Sequence, residues 1–336
     1  MEYRYLGSSG LRVSSLAIGT AVFGSQVAPD DAFAILDRAA DAGITLVDTA
    51  DMYPAPADRP GLTEEIVGRW LARRPRDSIV LSSKVWGETG PGLHDRGLSR
   101  GHILSAVDAS LRRLGTDYLD LYYCHFPDDS VRIEETVRAL HDLVRWGKVR
   151  YVAASNFDAW QLVRALNFAR AAGLAPFAAY QGRHNILHRE LEEEVFPLSR
   201  AAGLGIAVYN ALAGGMLTGK YAGTEDLRDG TRFSMGSVGE AYRERYWDEA
   251  QFAQVRRLQT HFAEQESPLT QAAIAWSLAR EGMSSVILGA SLSAQLDAPI
   301  AALDLRLSEE DIALCNDVWL RLPRRKKPGL VINWKN

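Results

Sequence analysis

Short apolar runs of strand character alternate along the chain with longer stretches whose apolar residues recur at three- and four-residue spacing. The runs begin near Leu16, Ile44, Ile79, Leu119, Tyr151, Phe177, Ile206 and Ser285. Between them Val107, Leu111 and Leu114, then Val137, Leu140 and Val144, then Leu162, Leu166 and Ala169 each mark one face of a helix. Gly43, Gly115, Gly147, Gly173 and Gly203 stand where a helical pattern stops, the place of a left-handed C-terminal cap. Thr63 and Asp158 are the predicted N-caps, the second with Gln161 three residues on. Such alternation implies a parallel sheet. Eight repeats of it favour a closed (β/α)8 TIM barrel, of class α/β, over an open sheet.

A barrel of this kind takes about 250 residues, and the chain has 336. The surplus is expected in three places. Residues 3–14 read as an N-terminal β-hairpin turning at Ser8-Ser9-Gly10 and closing the bottom of the barrel. Residues 211–240, rich in Gly and polar residues, read as a long loop after strand seven, and such loops are usually functional. Residues 303–336 read as an extra C-terminal helix and a tail. No linker divides the chain, so residues 1–336 are expected to form one domain.

Composition narrows the class. A hydrophobic fraction of 47% with 24% charged residues is that of a globular chain. Lys plus Arg number 38 against 42 acids, a net charge of −4, which offers no field for a nucleic acid. Arg324-Arg325-Lys326-Lys327 is the lone basic run; it reads as a solvated tail, with a nuclear-localisation signal as the alternative. No stretch approaches the roughly 20 apolar residues that span a membrane, and the first residues lack a secretion signal's apolar core. Cys124 and Cys315 lie in an apolar run and a helical pattern, so no disulfide is expected. The expected location is the cytoplasm, without a membrane partner. The pattern sets no oligomeric state.

The chemistry-bearing residues fall at strand ends. Asp48 closes the second run, with Tyr53 five residues on; Lys84 closes the third and His125 the fourth. In an eight-stranded α/β barrel those ends converge on the face that carries the active site. A phenol titrates near 10 unless a neighbouring cation favours its anion. Lys84 can be that cation, Asp48 can keep it protonated in a desolvated pocket, and His125 can orient a carbonyl. This site protonates an oxygen anion as it develops, and needs an electron donor to create one.

Asp48-Thr49-Ala50-Asp51-Met52-Tyr53, Ser82-Ser83-Lys84-Val85, Asp120 to His125, and Ser155-Asn156-Phe157 resemble the aldo-keto reductase superfamily in order and spacing over nearly the whole chain. Arg96 to Arg100 and Gly289-Ala290-Ser291 resemble its potassium-channel β-subunit branch and that branch's bacterial relatives. The resemblance implies a carbonyl reductase using NADP(H), with NAD(H) as the second choice, and a small carbonyl compound as substrate. In it Tyr53 is the acid, Lys84 and Asp48 its tuning pair, and His125 the orienter. It also implies a cofactor site: Gly19, Thr20 and Gln26; Ser155, Asn156 and Gln181 on the carboxamide; Tyr209 against the nicotinamide ring. Asn210, Ala211, Leu212, Ala213 and Gly214, with Lys220 and Arg232, would follow the phosphates, and Gly289, Ser291 and Gln295 the adenosine. Channel β subunits imply the alternative, a cofactor-binding regulatory module with little turnover.

Three departures bear on this. Leu292 replaces a common basic residue, and Ala298 and Pro299 replace a Glu-Asn pair, which weakens the adenine contacts. Arg183 interrupts the usual pattern after Gln181 and reaches either the substrate side or an ion pair. Phe23, Trp86 and Phe126, with Met52, are the expected apolar wall of the substrate pocket beside Tyr53 and His125. Arg59, in a proline-rich loop, either is exposed or draws in an anion. The phosphate-loop-like Gly214 to Tyr221 lacks the Ser or Thr that binds Mg²⁺. His184 and His188, four apart, have no third ligand at metal spacing, so no metal is expected.

Overall fold

The computed structural model describes residues 1–54 and 59–324. Its strands are β1 (Tyr3–Tyr5), β2 (Arg12–Ser14), β3 (Leu16–Gly19), β4 (Leu46–Asp48), β5 (Val80–Val85), β6 (Leu119–Cys124), β7 (Val149–Ser155), β8 (Ala179–Arg183), β9 (Gly205–Tyr209) and β10 (Met283–Gly289). β3 to β10 pair in parallel and close into a barrel in the order β10-β3-β4-β5-β6-β7-β8-β9. Each of the eight apolar runs supplies one barrel strand. Helices α1 (Pro29–Asp41), α2 (Leu62–Leu71), α3 (Arg100–Leu114), α4 (Ile133–Arg145), α5 (Ala159–Ala171) and α6 (Val195–Ala202) follow the first six.

Turn chemistry explains most of the boundaries. The five glycines expected at helix ends all take positive φ, and Asp158 caps α5 in a reciprocal box with Gln161. Thr63 does not cap α2. The helix starts at Leu62 with Gly61 in the cap position at φ 87°, and Thr63 Oγ1 instead donates to the Phe23 carbonyl at 2.7 Å. Gly61 is required because the Arg113 side chain fills the space: a Cβ there would lie 2.6 Å from it.

The barrel interior is filled by Ala17, Leu46, Leu121, Tyr123, Ala153, Ala179, Ala207 and Ile287, and Leu6 joins them from below. The hairpin forms where expected, with Tyr3 opposite Ser14. It is tied to the bottom by the Ser8 amide on the Gly203 carbonyl at 2.8 Å. Fully buried Leu6 is the plug, worth about 2–3 kcal/mol of apolar burial.

After β9 the chain makes a long excursion, and it is not a bare loop. Two 3-10 turns, Ala213–Thr218 and Arg232–Ser234, lead into α7 (Gly236–Tyr246) and α8 (Glu249–Glu264). Met216, Leu217, Tyr221, Phe233, Tyr246 and Phe252 build a second core there against Trp276 of α9 (Leu269–Leu278). These aromatics, scattered among Gly and polar residues, order the segment. A short helix α10 (Asp297–Ala301) and the expected C-terminal α11 (Glu309–Arg321) complete the described fold. Leu330 to Trp334 and the basic run from Arg325 onward lie outside the described residues, as do Ala55, Pro56, Ala57 and Asp58. Among the described residues no helix is long and apolar enough to cross a membrane.

Candidate active site

Barrel register brings the strand-end residues together. Asp48, last in β4, pairs with Gly19 and Ser82; Lys84 pairs with Tyr123; Ser155 pairs with Gln181. Side chains alternate along β5, so Ser82 and Lys84 reach the Asp48 carboxylate while Ser83 reaches out to α2. Lys84 Nζ donates to Asp48 Oδ2 at 2.5 Å and to the Thr49 carbonyl at 2.9 Å. Asp48 Oδ1 accepts from Ser82 Oγ at 2.7 Å and Gln181 Nε2 at 3.0 Å. The ion pair is buried, with Lys84 0% and Asp48 4% exposed. The other two groups close around it: the ammonium lies 5.3 Å from the Tyr53 ring centroid, and the His125 ring meets Tyr53 edge-on at 5.7 Å.

Burial governs the proton affinities. It lowers the Lys84 amine, against which the Asp48 carboxylate pulls upward. It depresses His125 well below the ordinary imidazole value, helped by the Lys84 charge, so His125 is neutral at neutral pH. It pushes the Tyr53 phenol well above its usual value, and the Asp48 carboxylate adds to that, with Arg232 opposing. The sequence argument expects the opposite direction for Tyr53. The difference arises because desolvation of the phenolate dominates, and Asp48, ion-paired with Lys84, offsets part of the ammonium's field at the phenol.

The remaining expected site residues are distributed as follows. Asn156 has φ 61°; its Nδ2 donates to the His125 carbonyl and to Ser155 Oγ, both at 2.9 Å. Tyr209 donates its hydroxyl to Asn156 Oδ1 at 2.8 Å, which fixes the plane of its half-buried ring. Gln181 uses its amide on Asp48, so it belongs to the acid cluster as well as to the strand-end row. Asn210 Oδ1 takes the Gly214 amide at 2.7 Å and Asn210 Nδ2 donates to Tyr246 at 2.9 Å, shaping the turn through Ala211, Leu212 and Ala213. Gly214 is at φ 69°, and a Cβ there would lie 2.6 Å from the Tyr242 ring.

Lys220 lies over the Tyr221 ring at 5.0 Å, and Arg232 over Tyr242 at 5.5 Å, within electrostatic reach of Tyr53. Ser291 donates to Gln295 Oε1 just beyond Gly289, the last residue of β10. Thr20 Oγ1 bonds the Asp48 carbonyl at 3.0 Å; Gln26 is exposed.

Trp86 and Phe126 meet at 5.1 Å, and Phe126 stacks on His125 at 4.8 Å, an aromatic wall beside Tyr53. Phe23 does not join them: it is 0% exposed within the outer core, because the loop after β3 folds inward under Thr63. Arg59 pairs with Glu65 at the surface. Arg183 stands opposite Tyr209 in register, and no carboxylate pairs with it among the described residues. His184 bonds Glu192 and stacks on Trp276, a packing role. Sequence reasoning missed Glu64, fully buried behind β5 and held by Ser83 at 2.6 Å and Arg113 at 2.7 Å.

The Aldo/keto reductase family model matches residues 15–320. The chain is 36% identical to "Uncharacterized oxidoreductase YrpG" of Bacillus subtilis (strain 168), over 95% of this chain and 96% of that protein. It is 37% identical to a "Probable voltage-gated potassium channel subunit beta" of Oryza sativa subsp. japonica, over 91% and 92%. It is 32% identical to "Versiconal hemiacetal acetate reductase" of Aspergillus parasiticus, over 98% and 99%. The chain belongs to the aldo/keto reductase family, and its role is that of an oxidoreductase.

Proposed function

We propose that this protein reduces the carbonyl of a small aldehyde or ketone, with Tyr53 as proton donor, using NADPH in preference to NADH. The observation that carries the reading is the buried Lys84–Asp48 pair at 2.5 Å with the Tyr53 ring 5.3 Å from the ammonium, on the barrel face where such enzymes act. The residues present fit a dinucleotide. Ser155, Asn156 and Gln181 are amide- and hydroxyl-bearing groups at adjacent strand ends, and the Tyr209 ring is held in a fixed plane beside them. Lys220, Arg232 and Ser291 are the groups to hold phosphate, with Gly289 and Gln295 toward the adenosine. When bound, the reduced nicotinamide supplies a hydride to the carbonyl carbon.

The chain's own groups do the rest. Neutral His125 donates a hydrogen bond to the carbonyl oxygen and fixes its direction. The Tyr53 phenol, its proton held firmly by burial, gives that proton to the oxygen as negative charge gathers there. An alkoxide is a stronger base than even a buried phenolate, so the transfer runs downhill. The nearby ammonium stabilises the phenolate as it forms, and Asp48 keeps that ammonium charged within a dry site. Trp86 and Phe126 give the pocket an apolar side suited to a hydrophobic or aromatic carbonyl.

The test is cofactor binding by fluorescence titration together with steady-state turnover of a carbonyl panel, neutral and anionic, aliphatic and aromatic. Turnover of at least one class, with a lower KM for NADPH than for NADH, is expected. Tight cofactor binding with no turnover of any carbonyl would favour the regulatory-module reading that the channel-subunit relatives suggest.

A further inference from the structure

Behind the reacting face lies a second, fully buried set of charges that the reaction above does not use. Glu64 of α2 and Asp51 of the β4–α2 turn are both 0% exposed, and both lie among β5, β6 and α3. Glu64 Oε1 accepts from Ser83 Oγ at 2.6 Å, and Glu64 Oε2 from Arg113 Nε at 2.7 Å. The fold is shaped to allow this. A Cβ on Gly61 would lie 2.6 Å from the Arg113 side chain, and one on Gly68 2.4 Å from the Arg113 carbonyl. Asp51 spans the same junction. Its amide donates to the Lys84 carbonyl at 3.1 Å, and its carboxyl faces the Trp86 and Met52 amides. The Asp51 amide thus holds the Lys84 carbonyl, and Ser83, the residue before Lys84, is held through its side chain by Glu64.

We propose that Glu64, clamped by Arg113 and Ser83, is a positioning residue that fixes the end of β5 and sets a second anion behind Lys84. This rests on the reading of Lys84 and Tyr53 given above. Lys84 faces Asp48 from β4, Tyr53 from the turn, Tyr123 from β6 and His125 just past its end; Glu64 and Asp51 face it from behind, with Arg113 offsetting them. Burial, and after it the neighbouring Glu64, push the Asp51 acid well above the usual carboxylate range, with Arg113 opposing. Glu64, ion-paired with the Arg113 guanidinium at 2.7 Å, stands behind β5 as a second carboxylate whose field adds to that of Asp48 in favouring the ammonium against desolvation.

Glu64→Gln keeps the shape and the acceptor for Ser83 but removes the charge. Its alkaline limb of kcat should move down by about one pH unit, the scale of one nearby unit charge, with KM for NADPH unchanged. Arg113→Met should move that limb the other way, because it leaves Glu64 uncompensated. A role limited to stability would lower the melting temperature in both variants and leave both limbs in place, and that result overturns the proposal. If Glu64→Gln does not fold, the direction of the Arg113→Met shift decides alone. The same titration read without turnover, from the ε-¹³C resonance that Lys84→Met abolishes, separates failure of this proposal from failure of the reductase reading. An unmoved resonance in the folded variants overturns it even when no carbonyl is reduced.

Discussion

Replacing Lys84 by Met tests the ion pair through stability as well as rate. The ammonium makes two hydrogen bonds, to Asp48 and to Thr49. Without it the Asp48 carboxylate stays buried, with only the neutral donors Ser82 and Gln181. Breaking a buried pair from one side costs about 3–5 kcal/mol because a charge is left uncompensated. Adding Asp48→Asn removes that stranded charge, so the double variant should recover about 1–3 kcal/mol over Lys84→Met alone. Activity should not recover: each variant should lose roughly 10²–10⁴-fold in kcat, the range of general acid–base assistance. Urea unfolding followed by circular dichroism gives the stabilities, and steady-state kinetics the rates. If Lys84→Met is as stable as the parent, or the double variant is the least stable of the three, the reasoning about the pair is wrong.

Tyr53→Phe should abolish reduction, with cofactor affinity within about twofold of the parent, since it removes one hydroxyl from the acid site; fluorescence titration and turnover check both. His125 is held well below its unfolded value, so below about pH 6.5 the unfolded chain binds a proton that the folded chain resists, and stability falls as pH drops through that range. His125→Gln should flatten part of this loss in melts taken from pH 7 to pH 5. Gly214→Ala forces a side chain into φ 69° and against Tyr242; it should raise KM for the cofactor several-fold and cost about 1–2 kcal/mol. Leu6→Ala should cost about 2–5 kcal/mol in urea unfolding and leave kcat unchanged, because Leu6 plugs the end of the barrel away from the site.

The eight strands and their order were legible because each is a short apolar run, and five of them follow a helix that ends at a glycine, signals that lie within a few residues of each other. That Asp48, Lys84 and His125 meet at one end of the barrel was legible because a barrel makes strand ends equivalent, so position along the chain translates into position in space. Thr63 was misread because the start of α2 is dictated by Arg113, 50 residues downstream, which only Gly61 can accommodate. The segment 211–240 looked like loop because its aromatics, Tyr221 and Phe233, are spaced without a period and are held together by Trp247, which lies beyond the segment. Glu64 carried no local signal: its role exists only where α2 and α3 meet behind β5. The direction of the Tyr53 shift likewise needed coordinates, since it depends on how fully Asp48 offsets Lys84 and how dry the phenol is.

The central claim is that hydride reaches a carbonyl carbon while Tyr53 protonates the oxygen. Single turnover with NADPH deuterated at both C4 positions, followed by mass spectrometry of the product, tests it most directly. The account predicts an alcohol carrying one deuterium on the carbinol carbon, formed by the parent protein and absent with Tyr53→Phe. Bound cofactor that transfers no deuterium to any carbonyl offered, or transfer undiminished in Tyr53→Phe, would contradict it.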